Sequence, residues 1–175
     1  MNTVLTIGHS TRPLEQFIEM LRSNGAGLVV DVRTIPRSRR NPQFNSAALE
    51  EALLRESIGY CHRSGLGGLR RPRPDSPNLG WRSAGFRGFA DHMQTAEFRE
   101  NLEELIALAE SNVPVLMCAE ALPWRCHRRL IADALCVQGV RVEHIMGGAA
   151  RRLHSLTPFA CLVDDGVFYP PGSGA

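Results

Sequence analysis

Two alternating hydrophobic periods run along this chain. Val4-Leu-Thr-Ile7 is an apolar run stopped by Gly8, the pattern of a short buried strand. Pro13 suits the first turn of a helix, and Leu14, Phe17, Ile18 and Leu21 then recur at helical spacing up to Asn24-Gly25. Leu28-Val-Val-Asp-Val32 predicts a second strand, apolar enough to be covered on both faces. Arg33 to Phe44 reads as an irregular loop. A helix is expected from about Ser46 to Glu56 with Leu49, Leu53 and Leu54 inward, and Tyr60-Cys-His62 is a third strand candidate. Residues 63–85 carry Gly, Pro and Arg without periodicity and predict a long loop or flap. Phe86 to Met93 reads as a short helix. Thr95 starts another, with Phe98, Leu102, Leu105, Ile106 and Ala109 on one face.

Val113 to Met117 is the next expected strand. A helix from Cys126 to Gln138 follows, with Leu130, Ile131, Ala134 and Leu135 inward, and Val140 to Ile145 is a last parallel strand. Asp165-Gly166 between Cys161-Leu-Val163 and Val167-Phe-Tyr169 predicts a terminal hairpin. The alternation of strands and helices implies an α/β fold: one three-layer domain over residues 1–169, with a mainly parallel sheet flanked by helices. Residues 170–175 are expected to form a flexible tail.

A chain of 175 residues fits one domain, and no run of apolar residues approaches membrane-spanning length. No membrane partner is expected. The start of the chain lacks a basic-then-apolar signal pattern. Five irregularly spaced cysteines suit a reducing compartment rather than a disulfide framework, so the expected location is cytoplasmic. Net charge is only +2, which excludes a strong global field for polyanions, yet all 20 basic residues are Arg. Guanidinium forks grip phosphates and carboxylates bidentately. They cluster at Arg33, Arg37, Arg39 and Arg40 and again at Arg70, Arg71 and Arg73.

The chemistry is concentrated just after the apolar strands. Gly8-His9-Ser10 follows the first, Asp31-Val-Arg33 ends the second, and Cys118-Ala-Glu120 follows the one beginning near Val113. Parallel strands end on a common edge, where open α/β sheets bind ligands. One pocket lined by His9, Asp31, Arg33, Cys118, Glu120 and the Cys126-His127-Arg128 turn, partly covered by residues 63–85, is therefore expected. Cys126 beside Arg125, His127 and Arg128 at a helix start has the surroundings of a reactive thiol. Cys61, Cys136 and Cys161 sit in apolar patterns and read as inert core. Candidate catalytic residues are Cys118, Glu120, Cys126, His127, His9 and Asp31. Candidate substrate-binding residues are Ser10, Arg33, Arg37, Arg39 and Arg128. Glu120 has a competing reading as an ion-pair partner of Arg128 or another rim Arg, and Asp31 as a salt-bridge partner. Cys118 and Cys126 are too far apart for a short Cys-x2-4-Cys knuckle, and adjacent Cys126 and His127 diverge on a helix. No metal and no other cofactor is expected.

Thr6-Ile-Gly-His-Ser10, Asp31-Val-Arg33 with Pro36 and Ser38-Arg39, Asn41-Pro-Gln-Phe44, Leu66-Gly-Gly68, and Cys118-Ala-Glu120 followed by Cys126-His-Arg128 together resemble the DUF488 family. The resemblance runs from about residue 5 to residue 147. It implies a small cytosolic α/β domain with a shared polar site, and no particular reaction.

Three functions stand side by side on these residues. The first is binding of an anionic ligand, a nucleic acid or nucleotide held by Arg contacts, with Phe44, Trp81 and Phe86 as stacking surfaces. Thiol-assisted chemistry can accompany it. The second is a cysteine-dependent enzyme loosely similar to rhodanese-type sulfurtransferases. Against it, the loop after Cys118 contains no Gly, and a carboxylate beside the nucleophile raises a thiol pKa. The third is a binding or regulatory module without catalysis.

Overall fold

A computed structural model describes residues 2–172 of the chain. Strand β1 (Thr3–Gly8) is followed by helix α1 (Leu14–Ser23), β2 (Leu28–Asp31), α2 (Ser46–Arg55) and β3 (Gly59–His62). After the long loop come α3 (Ala84–His92), α4 (Ala96–Ser111), β4 (Pro114–Cys118), α5 (Arg128–Val137) and β5 (Arg141–Gly147). The order β3-β2-β4-β1-β5-β6 makes a six-stranded sheet, parallel except for β6 (Ala150–Leu153), which pairs antiparallel with β5. A separate hairpin of β7 (Cys161–Val163) and β8 (Gly166–Phe168) completes the fold. The α/β class and the terminal hairpin therefore match the sequence pattern. β6 was not foreseen, because its residues Ala150-Arg-Arg-Leu153 are all exposed and carry no apolar alternation.

The sheet is covered on both faces. Leu5, Ile7, Val29, Val115 and Met117 pack with Phe17, Leu21, Leu49 and Leu53 of α1 and α2. Val4, Val30, Leu116, Cys118 and Val142 point to the opposite side, against Phe89, Phe98, Leu105, Leu130 and Ile131. Each fully buried Leu, Ile or Phe of these layers stabilises the fold by roughly 1.5–3 kcal/mol. β1 thus sends Leu5 and Ile7 one way and Val4 and Thr6 the other, as strand alternation requires.

Several local expectations need correction. Leu54 is exposed rather than inward, because Leu49 and Leu53 define the buried stripe and the next residue turns about 100° away from it. Cys161 is exposed, since only the β8 side of the hairpin, through Val167, reaches the core. Cys126 precedes α5 in extended conformation, after a short 3-10 turn at Pro123–Arg125. Residues 63–85 form an ordered strap. Buried Asp91 accepts hydrogen bonds from Ser76, Asn78 and the backbone of Arg73, which ties the strap to α3. The flexible tail expected for 170–175 lies partly outside the described residues, which end at Gly172.

Candidate functional site

β4 lies between β1 and β2, so the C-terminal ends of all three strands meet. Pairing continues past the strands: the His9 N–H donates to Cys118 O at 2.8 Å, Ser10 to Ala119 O, and Val32 to Met117 O. Gly8 permits this close approach, since a Cβ there would fall 1.9 Å from Glu120 O. Ser10 then adopts a left-handed backbone (φ 50°) that turns the chain away from the edge.

Cys118 ends β4, and the chain returns through the 3-10 turn to Cys126. The two Sγ atoms come to 2.7 Å, and both residues are buried. Arg128 lies against them, with Nε donating to Cys118 Sγ at 3.0 Å and to Cys126 Sγ at 3.4 Å. Its Nη1 donates to Thr6 Oγ1 and its Nη2 to the carbonyl of Glu120. Arg128 is 1% exposed and has no carboxylate partner among the described residues. A guanidinium does not deprotonate, and an uncompensated buried charge is expensive. The groups placed to compensate it are the two thiols.

The electrostatics of the pair follow from this contact. Burial pushes the Cys126 thiol up, but hydrogen bonds from Cys118 and His127 and the charges of His127 and Arg128 outweigh it. They hold Cys126 well below the ordinary thiol value. Burial and the shared proton push Cys118 well above that value. Of the pair, Cys126 is therefore the more readily ionised thiol and Cys118 the one that holds its proton more tightly. The backbone N–H of Arg128, first residue of α5, also points at Cys126 Sγ, where helix dipole and donor favour an anion.

His127 completes the arrangement. Its Nε2–H donates to Val32 O at 3.0 Å, and Nδ1 lies 3.5 Å from Cys126 Sγ, to which it donates in the imidazolium form. The divergence of Cys126 and His127 expected on a helix does not occur, because the backbone of Cys126 is extended. Gly68 makes room for the ring, since a Cβ there would lie 2.5 Å from His127 Nδ1.

Cys118, Cys126 and His127 border a cavity of about 500 Å³ whose walls include Ile35, Leu69 and Phe86. Residues Gly68, Leu69, Ser83 and Gly85 of the strap form one side. Arg37 and Arg125 line it too, are exposed, and have no ion-pair partner among the described residues. Arg39 lies outside this cavity and, with Arg37, lines an adjoining one of about 510 Å³.

Of the remaining predicted residues, Arg33 and Glu120 reach the cavity and the others sit behind its wall. Asp31 is fully buried and grips Arg33 with both oxygens, at 2.9 and 2.6 Å, while Tyr60 OH donates to the same carboxylate. Arg33 lines the cavity, but its fork is taken by Asp31, by Phe44 O and by a 3.4 Å contact to His9 Nε2. Its role as a free anion ligand is therefore not supported by its geometry. His9 is 1% exposed, stacks on Phe44 and donates from Nδ1 to Ser10 O. Burial foremost, then the charge of Arg33, push its pKa down to about 4, so it is neutral at physiological pH. Ser10 and Arg128 do not border the cavity. Glu120 lines it, with its carboxylate accepting from Leu122 N–H; Arg128 meets the backbone oxygen of Glu120, so the expected ion pair does not form. Phe44 and Trp81 are core residues, Phe44 stacked on His9 and Trp81 packed at tilted or edge-on angles against Phe86, Phe159 and Tyr169, and they offer no stacking platform. No group of three or more metal-ligating side chains occurs among the described residues.

Residues 13–135 match the family model described as Domain of unknown function DUF488. The chain belongs to the DUF488 family. No curated protein and no solved structure matches it. The DUF488 match contains Asp31, Arg33, both site cysteines, His127 and Arg128, whereas His9 and Ser10 precede it. Two residues at this DUF488 site escaped the sequence pattern. Arg125 was seen only as a neighbour of Cys126. Thr6 was read as part of an apolar strand, although a hydroxyl inside Val4-Leu-Thr-Ile7 is itself a signal of a buried polar partner.

Proposed function

We propose that this protein is a cysteine-dependent enzyme that accepts sulfur from a small anionic sulfane-sulfur donor onto Cys126. The observation that carries this reading is the buried Arg128, without a carboxylate partner among the described residues, donating to two thiols 2.7 Å apart at the floor of a cavity. A pair that shares one proton beside a fixed cation holds a thiolate at neutral pH, and the thiolate is the nucleophile. Arg37 and Arg125 at the cavity wall supply positive charge for an anionic donor.

With thiosulfate as the simplest such donor, the Cys126 thiolate attacks the outer sulfur. The S–S bond breaks, sulfite leaves with the bonding electron pair, and Cys126 carries a persulfide. A nucleophilic acceptor then takes the outer sulfur, and the electron pair of that bond returns to Cys126 as thiolate. Cys118 keeps its proton throughout and donates to whichever sulfur bears the charge. The reduced dithiol this cycle needs fits a cytoplasmic location.

Incubation with thiosulfate followed by mass spectrometry should show a gain of one sulfur atom on Cys126 and none in Cys126→Ser. With cyanide as acceptor, thiocyanate should form, and Arg37→Ala with Arg125→Ala should raise KM for thiosulfate more than they lower kcat. A wild-type protein that gains no sulfur from thiosulfate or from an organic persulfide overturns the reading. Nucleotide or nucleic-acid binding is a second reading, favoured by the pairing of Arg37 and Arg39 along the adjoining cavity. Binding to a nucleotide or oligonucleotide that weakens steeply with salt would support it.

A further inference from the structure

The thiol site leaves unused a second set of buried titratable groups on the same face of the sheet. Thr6 Oγ1 is 2.7 Å from His144 Nδ1, His144 Nε2 is 3.0 Å from His154 Nδ1, and His154 Nε2 is 2.8 Å from Asp133 Oδ1. Arg128 Nη1 donates to the same Thr6 hydroxyl at 3.2 Å. An unbroken chain of hydrogen bonds therefore runs from the guanidinium that touches both thiols to a carboxylate on α5.

We infer that Thr6, His144, His154 and Asp133 are positioning residues that fix Arg128 on the Cys118–Cys126 pair and so maintain the Cys126 thiolate. With one proton on each imidazole, the direction of every bond follows from the carboxylate end. Arg128 can only donate, so Thr6 accepts from it, which leaves the hydroxyl proton available to His144 Nδ1. His144 then carries its proton on Nε2 and donates to His154, which donates from Nε2 to Asp133. Asp133 can only accept, and it also receives bonds from Tyr169 OH and the Thr157 backbone N–H. In this register each imidazole is a single tautomer with both ring nitrogens engaged.

The groups facing the chain keep it in that state. Burial foremost, then any proton on the adjoining His154 and the charges of Arg128 and Arg152, push His144 down to about 3, with Asp133 opposing. A proton on His144 Nδ1 would meet the Thr6 hydroxyl and break the register toward Arg128. Arg128 also faces Arg12, and Cys126 faces Cys118 and His127. Neither of the last two belongs to the chain, so substitutions within it leave the immediate partners of Cys126 in place.

The inference rests on the thiolate reading of Cys126, and one experiment separates the two. Thiolate absorbance is followed against pH in wild type, Thr6→Val, His154→Phe and Thr6→Ser, each checked for fold by circular dichroism and melting temperature. Thr6→Val is nearly isosteric, removes only the hydroxyl, and should raise the Cys126 midpoint by about one pH unit, a tenfold loss of thiolate below the midpoint. His154→Phe, at the far end, should move it in the same direction, and Thr6→Ser, which keeps the hydroxyl, should stay at the wild-type value. Folded variants whose melting temperature falls while the midpoint stays at the low wild-type position overturn the positioning role alone. A wild-type midpoint at the ordinary thiol value overturns that role and the thiolate reading together.

Discussion

Replacing Arg128 with Met removes the guanidinium that touches both thiols and leaves a side chain of similar length. Arg128 Nε lies 3.0 Å from Cys118 Sγ and 3.4 Å from Cys126 Sγ, which puts the charge centre about 4 Å from the sulfurs. At an effective dielectric of about 20, a unit pair at that separation interacts by about 4 kcal/mol, or roughly three pH units of thiol titration. Cys118, His127 and the first amide of α5 still favour the thiolate, and the empty volume relaxes, so the expected rise in the Cys126 midpoint is about two units. Arg128→Lys keeps a charge near the sulfurs and should move it less. The assay is the rate of iodoacetamide alkylation across pH, resolved by peptide mass spectrometry so that each cysteine is read separately. An Arg128→Met protein with native circular dichroism and an unmoved Cys126 midpoint would refute the assignment of Arg128 as the counter-ion.

Asp31→Asn leaves the buried Arg33 fork without its carboxylate, and the fold should lose about 3 kcal/mol in urea unfolding, with the larger losses of fully buried pairs tempered because Arg33 borders the cavity. The pH dependence of stability should show a maximum near the ordinary thiol value of about 8.5. Cys126, whose folded pKa is depressed, contributes stability that is fully present above its unfolded value and lost as pH falls through the folded one. Cys118, whose folded pKa is raised, makes stability fall again as pH rises past its unfolded value, and Cys118→Ser should shrink that alkaline limb in urea titrations to the part owed to Cys61 and Cys136, whose thiols burial also pushes up. Gly68→Ala drives a Cβ against His127 and should slow Cys126 alkylation severalfold with little change in melting temperature; unchanged alkylation would show that the ring position is immaterial.

Much of this architecture was legible in the chain because parallel strands announce themselves. Val4–Ile7, Leu28–Val32 and Val113–Met117 are largely apolar, with Thr6 and Asp31 as exceptions, and polar residues gather where each one ends. That rule alone brings Cys118, Arg33 and His9 to one edge. It does not report depth, and here depth divides the residues: Cys118 and Cys126 border the cavity, whereas Asp31 and His9 brace the wall behind it. The contact of Cys126 with His127 was hidden because helical periodicity extends through a residue that is in fact extended. The chain from Thr6 to Asp133 was hidden for a different reason. His154 lies just beyond the exposed β6, whose sequence carries no strand signal, and its contact with His144 exists only once β5 and β6 pair.

The central claim is that one proton is shared by the Cys118–Cys126 pair at neutral pH, with Cys126 bearing the charge. Selective 13Cβ labelling of cysteine reads the ionisation of each thiol by its chemical shift, and single Cys→Ser variants assign the resonances. The expected result is one resonance at the thiolate position at neutral pH, absent from Cys126→Ser, with a midpoint well below those of Cys61, Cys118 and Cys136, all raised by burial. All the cysteines remaining thiols until the pH reaches the ordinary value would contradict it.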